Sequence, residues 1–443
     1  MCIRDRRKER LKYDDTRLYD ATGWSLALGY DMDAYFSESV PAVKSGSYQS
    51  TTVSGQLSGR KPKVGYIFSG ADDRSLLALA KLLDAGVKVW CATEPFSVDG
   101  ESYLRGSFLI RSNANGHIAE RTLQLIAEET GVILKAVNFG LASMGSDLGG
   151  GEFKLLTRPK IALVGGENTS PYSFGNIWHT LDARMNMATS TLSSTSLAGT
   201  DLDKYNVLIL PSSYGGPRTY KRLLSEGGVN HLREWVEDGG TLIAVGAAAA
   251  FVADSSVSLV TVRQKRQVLD KLEEYTSAFA LYQQAASPTV DSLAVWEGKR
   301  SEKRKEESVK KFDIKTTKQA DKLARQLSPQ GVIMRIDLDE EHWLSFGLGS
   351  DVPIMVDNSY SYVSKDNSDV AGRFASYDNV KISGILWPEA RERWANSVYC
   401  ARESVGKGQV ILFATDPNFR EYWKDSNMLI ITAVLKRCSY SLL

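Results

Sequence analysis

One segment of this 443-residue chain has the shape of a catalytic turn and none of its chemistry. Thr241-Leu242-Ile243-Ala244-Val245 is a mostly apolar run of strand length, and it enters Gly246-Ala247-Ala248-Ala249-Ala250-Phe251. A strand that breaks sharply into a helix is where α/β enzymes present a nucleophilic Ser or Cys among small residues. Ala248 stands in the middle of this turn. A methyl group has no lone pair with which to attack a carbonyl, so no acyl-enzyme is expected there.

The other candidates lie apart. His231-Leu232-Arg233-Glu234 has the His-x-x-Glu spacing of zinc peptidases, and His342 follows as a possible third ligand. The pattern around it argues against a metal. Val229, Leu232, Trp235 and Val236 form one apolar helical stripe, which sends His231 and Glu234 to the opposite, solvent face. No Asn-Arg pair is present to clamp a substrate carboxylate, so no metal site is expected in this chain. The Gly165-Gly166-Glu167-Asn168 loop could hold an anion at a helix N-terminus, but the full dinucleotide fingerprint is missing and a tight turn accounts for it better. Pro211-Ser212-Ser213-Tyr214-Gly215-Gly216 follows another apolar strand, and ligands of open α/β sheets bind at such strand ends. Glu167, Ser213, Tyr214, Gly246 and His342 are therefore the candidate crevice residues. His342 is expected to be a hydrogen-bonded structural histidine, because no sharp turn activates Ser212 or Ser213 for a Ser-His pair.

These residues need a frame, and apolar periodicity supplies one. Residues 61–140 read as a βαββαβ unit of ferredoxin-like order, with a helix over 72–85 and a second over 117–130. Residues 141–158 read as a Gly-rich linker. From 159 to 443, strands alternate with helices, which implies right-handed crossovers and a parallel sheet with helices on both faces. A helical, charged insertion at about 256–330 interrupts it, with a helical run near 263–286 and a dense charge run over 299–311. Residues 1–60 read as a connector in which Tyr19, Trp24 and Tyr35 are packed anchors.

Composition narrows the function classes. Net charge is +1, so no bulk field favours nucleic acid or an anionic membrane. No apolar run approaches the roughly 18 residues of a membrane span. Cys2, Cys91, Cys400 and Cys438 show no metal-binding or disulfide-framework spacing. Met1-Cys2-Ile3-Arg4-Asp5-Arg6 resembles a translated sequencing adapter, which implies that the natural protein begins further upstream.

Several segments, in order along the chain, resemble the C-terminal part of large bacterial carboxypeptidase-A-like zinc peptidases. They are Tyr19-Asp20-Ala21-Thr22-Gly23-Trp24-Ser25-Leu26, Leu82-Leu83-Asp84-Ala85-Gly86-Val87, and Ser143-Met144-Gly145-Ser146-Asp147-Leu148 with Arg158-Pro159-Lys160-Ile161. Ser383-Gly384-Ile385-Leu386-Trp387-Pro388 and Phe413-Ala414-Thr415-Asp416-Pro417-Asn418 complete the series. The resemblance implies a small α/β domain followed by a degenerate class I glutamine-amidotransferase-like domain. It also implies a secreted or periplasmic parent that removes C-terminal residues from peptide substrates, with its zinc and catalytic groups in an upstream domain. No cofactor is expected in this chain. Its partner would be that upstream peptidase domain of the same polypeptide. A ligand-binding amidotransferase-like module is the alternative, and a free-standing zinc peptidase through His231, Glu234 and His342 the third reading.

Overall fold

The computed structural model describes residues 25–30, 32, 34–35, 37–39, 54–59, 61–286, 313–421 and 423–437. Tyr19, Trp24 and the charge run over 299–311 lie outside the described residues. Tyr35 is 90% exposed, so it is not the packed anchor expected of it.

The first sheet is built from β1 (Gln56–Ser58), β2 (Gly65–Phe68), β3 (Trp90–Ala92), β6 (Phe108–Arg111), β7 (Ile133–Val137) and β8 (Phe153–Leu155), with a separate hairpin of β4 (Phe96–Val98) and β5 (Glu101–Tyr103). Its order is β1-β7-β2-β6-β3-β8. The inner four strands β7-β2-β6-β3 are the expected ferredoxin-like split unit. Helix α1 (Asp73–Asp84) starts where the Asp72 side chain accepts from the Ser75 amide at 2.7 Å, and it turns Leu76, Leu79 and Leu83 inward. Helix α2 (Glu120–Thr130) ends on Gly131 in the left-handed conformation. The stretch expected as linker contributes β8, antiparallel to β3, because Phe153 has an apolar strand face to bury.

The second sheet starts with β9 (Ile161–Gly165), β10 (Thr189–Ser193), β11 (Val207–Leu210) and β12 (Thr241–Val245). Between them run α3 (Pro171–Trp178), α4 (Pro217–Glu237) and, after β12, α5 (Ala247–Val252). Then come β13 (Arg263–Gln264), α6 (Leu272–Ala286), α7 (Ile314–Gln326), β14 (Val332–Leu338), β15 (Asp351–Val356), β16 (Tyr362–Val363) and β17 (Val370–Phe374). The chain closes through β18 (Lys381–Ser383), α8 (Pro388–Trp394), β19 (Val398–Val405), β20 (Gly408–Phe413) and α9 (Lys424–Leu435).

The main path is β10-β9-β11-β12-β20-β19-β17-β14-β15. Every pairing from β10 to β20 is parallel, and every pairing beyond β20 is antiparallel. Counted along the chain, the parallel strands stand in the flavodoxin-like order 2-1-3-4-5. Every residue of β11 and β12 is buried although successive side chains point to opposite faces, so both faces are covered. The insertion replaces the helix expected from 263 with a short strand and turns before α6, and it adds α7.

The two sheets share one apolar core. Helix α9 packs on α1, and the buried Lys436 Nζ donates to Phe346 O at 2.8 Å and to Gly70 O at 3.4 Å. Arg184–Asp73 and Arg105–Glu341 ion pairs bridge the same boundary. No helix among the described residues is long and apolar enough to cross a membrane.

Candidate functional site

In a 2-1-3-4-5 sheet, the connections leave opposite faces at the C-terminal ends of the first and third strands, and a crevice opens there. Here those ends are β9 and β11. The loops at 165–170 and 211–216 and the β12–α5 turn meet at that edge.

The turn differs from expectation in one residue. Its strained position is Gly246, with φ 58° and ψ −112°, and Ala248 is inside α5 with no exposed surface. The elbow residue of a nucleophile turn is the one with the left-handed backbone, so Gly246 holds the nucleophile's place. An apolar Ala run hides this in the sequence; only the dihedral angle reveals it. A Cβ on Gly246 would stand 2.7 Å from Ser212 Oγ and 3.0 Å from Ser212 Cβ. Ser212 therefore fills the space where a nucleophile's side chain would project. Its Oγ also accepts from the Ala247 amide at 3.1 Å. That amide, next after the elbow, is the one that stabilises an oxyanion in enzymes with such turns. The elbow residue thus carries no side chain, and the Ala247 amide is already bonded to Ser212 Oγ.

A hydrogen-bond chain continues from Ser212. Its amide donates to Ser173 Oγ at 2.9 Å, and Ser173 Oγ donates to Asp416 Oδ1 at 2.6 Å. The Ser212 carbonyl accepts from the Ser170 amide at 2.8 Å, which ties the two loops together. Asp416 follows β20 at the same edge of the sheet. Burial pushes its carboxyl up to about 7, the Ser173 hydrogen bond pulls it down, and the negative charge of Asp357 adds to the rise. Asp357 follows β15, and its own carboxyl is raised by the surrounding protein although solvent reaches it.

The expected crevice residues separate into groups. Glu167 and Tyr214 are exposed at the β9 and β11 ends, and Tyr214 meets the equally exposed Tyr172 edge-on at 6.5 Å between ring centroids. Ser213 turns inward, and its Oγ donates to Gly216 O at 3.2 Å, closing its own turn. Gly246 is buried beneath Ser212.

His342 does not reach this edge. It follows β14, which runs opposite to the parallel strands, and its charged neighbours are Asp339 and Arg402. Arg402 Nε donates to Gln409 Oε1 at 2.7 Å, near the start of β20, whereas the Gly246 amide bonds Phe413 O at its end. Those ends are roughly 13 Å apart along the strand. His342 Nδ1 accepts from the Leu344 amide at 3.2 Å and caps the turn Trp343–Ser345. Burial, with a smaller push from Arg402, lowers its imidazole to about 4 against the pull of Asp339, so the ring is neutral at pH 7.

His231 and Glu234 are exposed on α4, His231 Nε2 lies 3.3 Å from Thr200 O, and the Val229, Leu232, Trp235 and Val236 stripe is buried as expected. Among the described residues, no group of three or more His, Cys, Asp or Glu side chains is placed to hold a metal ion.

Ser173, Asp357 and Asp416 were not anticipated, and Ser212 was weighed only as half of a Ser-His pair. The available signal was position: Asp416 directly follows the last parallel strand, where ligand-facing groups of such sheets collect.

No protein-family model and no curated protein matches this chain. Solved structures do match. A cytoplasmic protein from Salmonella typhimurium is 10% identical over 62% of this chain and 99% of its own, with a TM-score of 0.34. A protein described as ThuA-like from Parabacteroides merdae is 11% identical over 64% and 91%, with a TM-score of 0.37. An exo-β-1,4-mannosidase from an Opitutaceae bacterium is 11% identical over 63% of this chain and 36% of its own, with a TM-score of 0.30. Strand order and register, rather than these distant likenesses, make this a mixed α/β chain in which a ferredoxin-like unit precedes a flavodoxin-like sheet.

Proposed function

We propose that the chain is a non-acylating, amidotransferase-like accessory module, and that it serves as the C-terminal part of a zinc carboxypeptidase. The observation that carries the first half is Gly246. At the elbow of the turn there is no side chain, and Ser212 Oγ occupies both the vacated space and the Ala247 amide. Covalent catalysis needs a nucleophile and a free oxyanion donor. The second half is supported by the ordered sequence segments that resemble the zinc peptidases. Zinc, the catalytic groups and the peptide substrate then belong to a peptidase domain upstream.

Elemental analysis and carboxypeptidase assay of the purified chain test this reading. No stoichiometric zinc and no release of C-terminal residues are expected, together with a peptidase domain encoded upstream at the genomic locus. Stoichiometric zinc that disappears in His231→Ala, or acyl-enzyme detected by intact mass after incubation with activated esters, overturns it.

A second reading, a ligand-binding module, is favoured by the solvent-facing Glu167, Tyr172 and Tyr214 at the strand ends. Saturable binding of a small polar ligand that is lost in Tyr214→Ala supports it.

A further inference from the structure

Two aromatic rings stand in solvent at the ligand edge of the parallel sheet. Tyr172, in the first turn of α3, is 73% exposed, and Tyr214, in the loop after β11, is 70% exposed. Their planes cross at 82° with the centroids 6.5 Å apart. An edge-on contact of this kind leaves a face of each ring free. Single exposed rings need no explanation, but a touching pair is a patch, and patches mark binding surfaces.

The backbone holds both rings in place. The Ser170 amide donates to Ser212 O at 2.8 Å and the Ser212 amide to Ser173 Oγ at 2.9 Å, which clamps the two loops together. Ser213 Oγ closes the turn behind Tyr214 by donating to Gly216 O at 3.2 Å. Tyr360 backs the same turn, since a Cβ on Gly216 would stand 3.3 Å from its hydroxyl. A platform fixed in advance lowers the ordering cost of binding.

The charges at this edge select a ligand class. Glu167, exposed, is the only charged side chain in the segments 165–170 and 211–216, and Asp357 and Asp416 lie at the same edge. The positive N-terminal ends of α3 and α4, with the exposed Arg218 in the first turn of α4, oppose those carboxylates. An anion therefore meets the carboxylates, and a cation meets the helix ends and Arg218. A wholly apolar ligand would take water from these groups without replacing its hydrogen bonds. A pyranose sugar meets each demand, because it is uncharged, its hydroxyls donate and accept, and its C–H face lies flat on an aromatic ring. We propose that Tyr172 and Tyr214 form the stacking platform of a carbohydrate site, which takes a neutral pyranose with its hydroxyls toward the carboxyls of this edge. The proposal rests on the ligand-binding reading of the strand ends and names its ligand class.

Saturation-transfer NMR of the full chain with the methyl α-D-glycosides of glucose, galactose and mannose tests it. Sorbitol, an acyclic polyol without a flat face, and choline, a cation, serve as controls. At least one glycoside is expected to bind saturably below about 10 mM, and neither control is. Tyr172→Ala and Tyr214→Ala are each expected to weaken that glycoside roughly 2- to 12-fold, the range of one aromatic contact. Tyr214→Phe keeps the ring and is expected to stay within about twofold of wild type. Both rings are exposed, so none of these variants removes core packing. Sorbitol binding as tightly as the glycosides, or choline binding in their place, overturns the carbohydrate assignment and leaves the ligand-binding reading standing. Glycoside binding that neither alanine variant weakens does the same. No saturable binding of any of these compounds at about 10 mM overturns both.

Discussion

Gly246→Ala places a methyl group 2.7 Å from Ser212 Oγ on a backbone of φ 58° and ψ −112°. Three costs follow. A non-glycine residue in so sparse a backbone region costs about 1–3 kcal/mol, and overpacking a closed site costs about 1–3 kcal/mol. If Ser212 moves away, the Ala247 N–H···Oγ bond is lost, for about 1 kcal/mol more. The sum is roughly 3–7 kcal/mol, a large share of the 5–15 kcal/mol typical of a folded domain. Urea denaturation of wild type, Gly246→Ala, Ser212→Gly and the double variant separates these costs. Ser212→Gly removes the obstructing Oγ and Cβ, so the double variant is expected to recover the overpacking part, a coupling of about 1–3 kcal/mol. The backbone part persists in both backgrounds. A Gly246→Ala cost below about 0.5 kcal/mol, or strictly additive single variants, would show that Ser212 does not fill the nucleophile's place.

Asp416 yields a pH prediction. Its folded-state carboxyl titrates at about 7, against about 3.9 in an unfolded chain. The unfolded chain releases the proton first, so stability falls as pH rises from about 4 to about 7, by up to about 1.4 kcal/mol per pH unit. Asp416→Asn keeps an acceptor for Ser173 and removes this slope; an identical slope in the variant by pH-dependent urea denaturation refutes the assignment. Asp321→Ala leaves the Arg393 guanidinium buried without its carboxylate, at an expected cost of about 3–5 kcal/mol. Pairing Arg393→Met with Asp321→Leu should recover most of that loss in thermal melts. Cys91 and Cys400 are buried thiols, and burial raises Cys91 to about 11 and Cys400 further. Peptide mapping after thiol labelling is expected to find both modified only once the chain unfolds, and labelling of either in the native protein contradicts their placement.

The parallel strands were legible because burial on both faces demands continuous apolar runs, and Val207-Leu208-Ile209-Leu210 has no other economical use. The edge strand Thr189–Ser193 escaped notice for the converse reason. An edge strand keeps one side in water, and its Thr and Ser residues read as loop. The antiparallel extension was hidden by irregular pairing, since β17 shifts register against β19 around Gly372. An alternating pattern cannot be followed across such a shift.

The site was legible only in its turn. Ser173 and Asp416 are 243 residues apart in the chain and meet because β9 and β20 flank the same strand pair, β11 and β12. His342 was misplaced by the same logic in reverse. A loop after a strand lies at the ligand edge only if that strand runs with the parallel set, and β14 runs against it. Strand direction thus decides which of two chemically plausible groups can act at Gly246, and direction is a property of pairing that no local residue pattern encodes. The consequence for function is specific. The carboxyl linked to the elbow is that of Asp416, through the hydrogen bonds of Ser173 and Ser212, and the His342 imidazole is not in that chain. A carboxyl raised to about 7 can donate as well as accept a hydrogen bond to a ligand, which fits the non-acylating role proposed above.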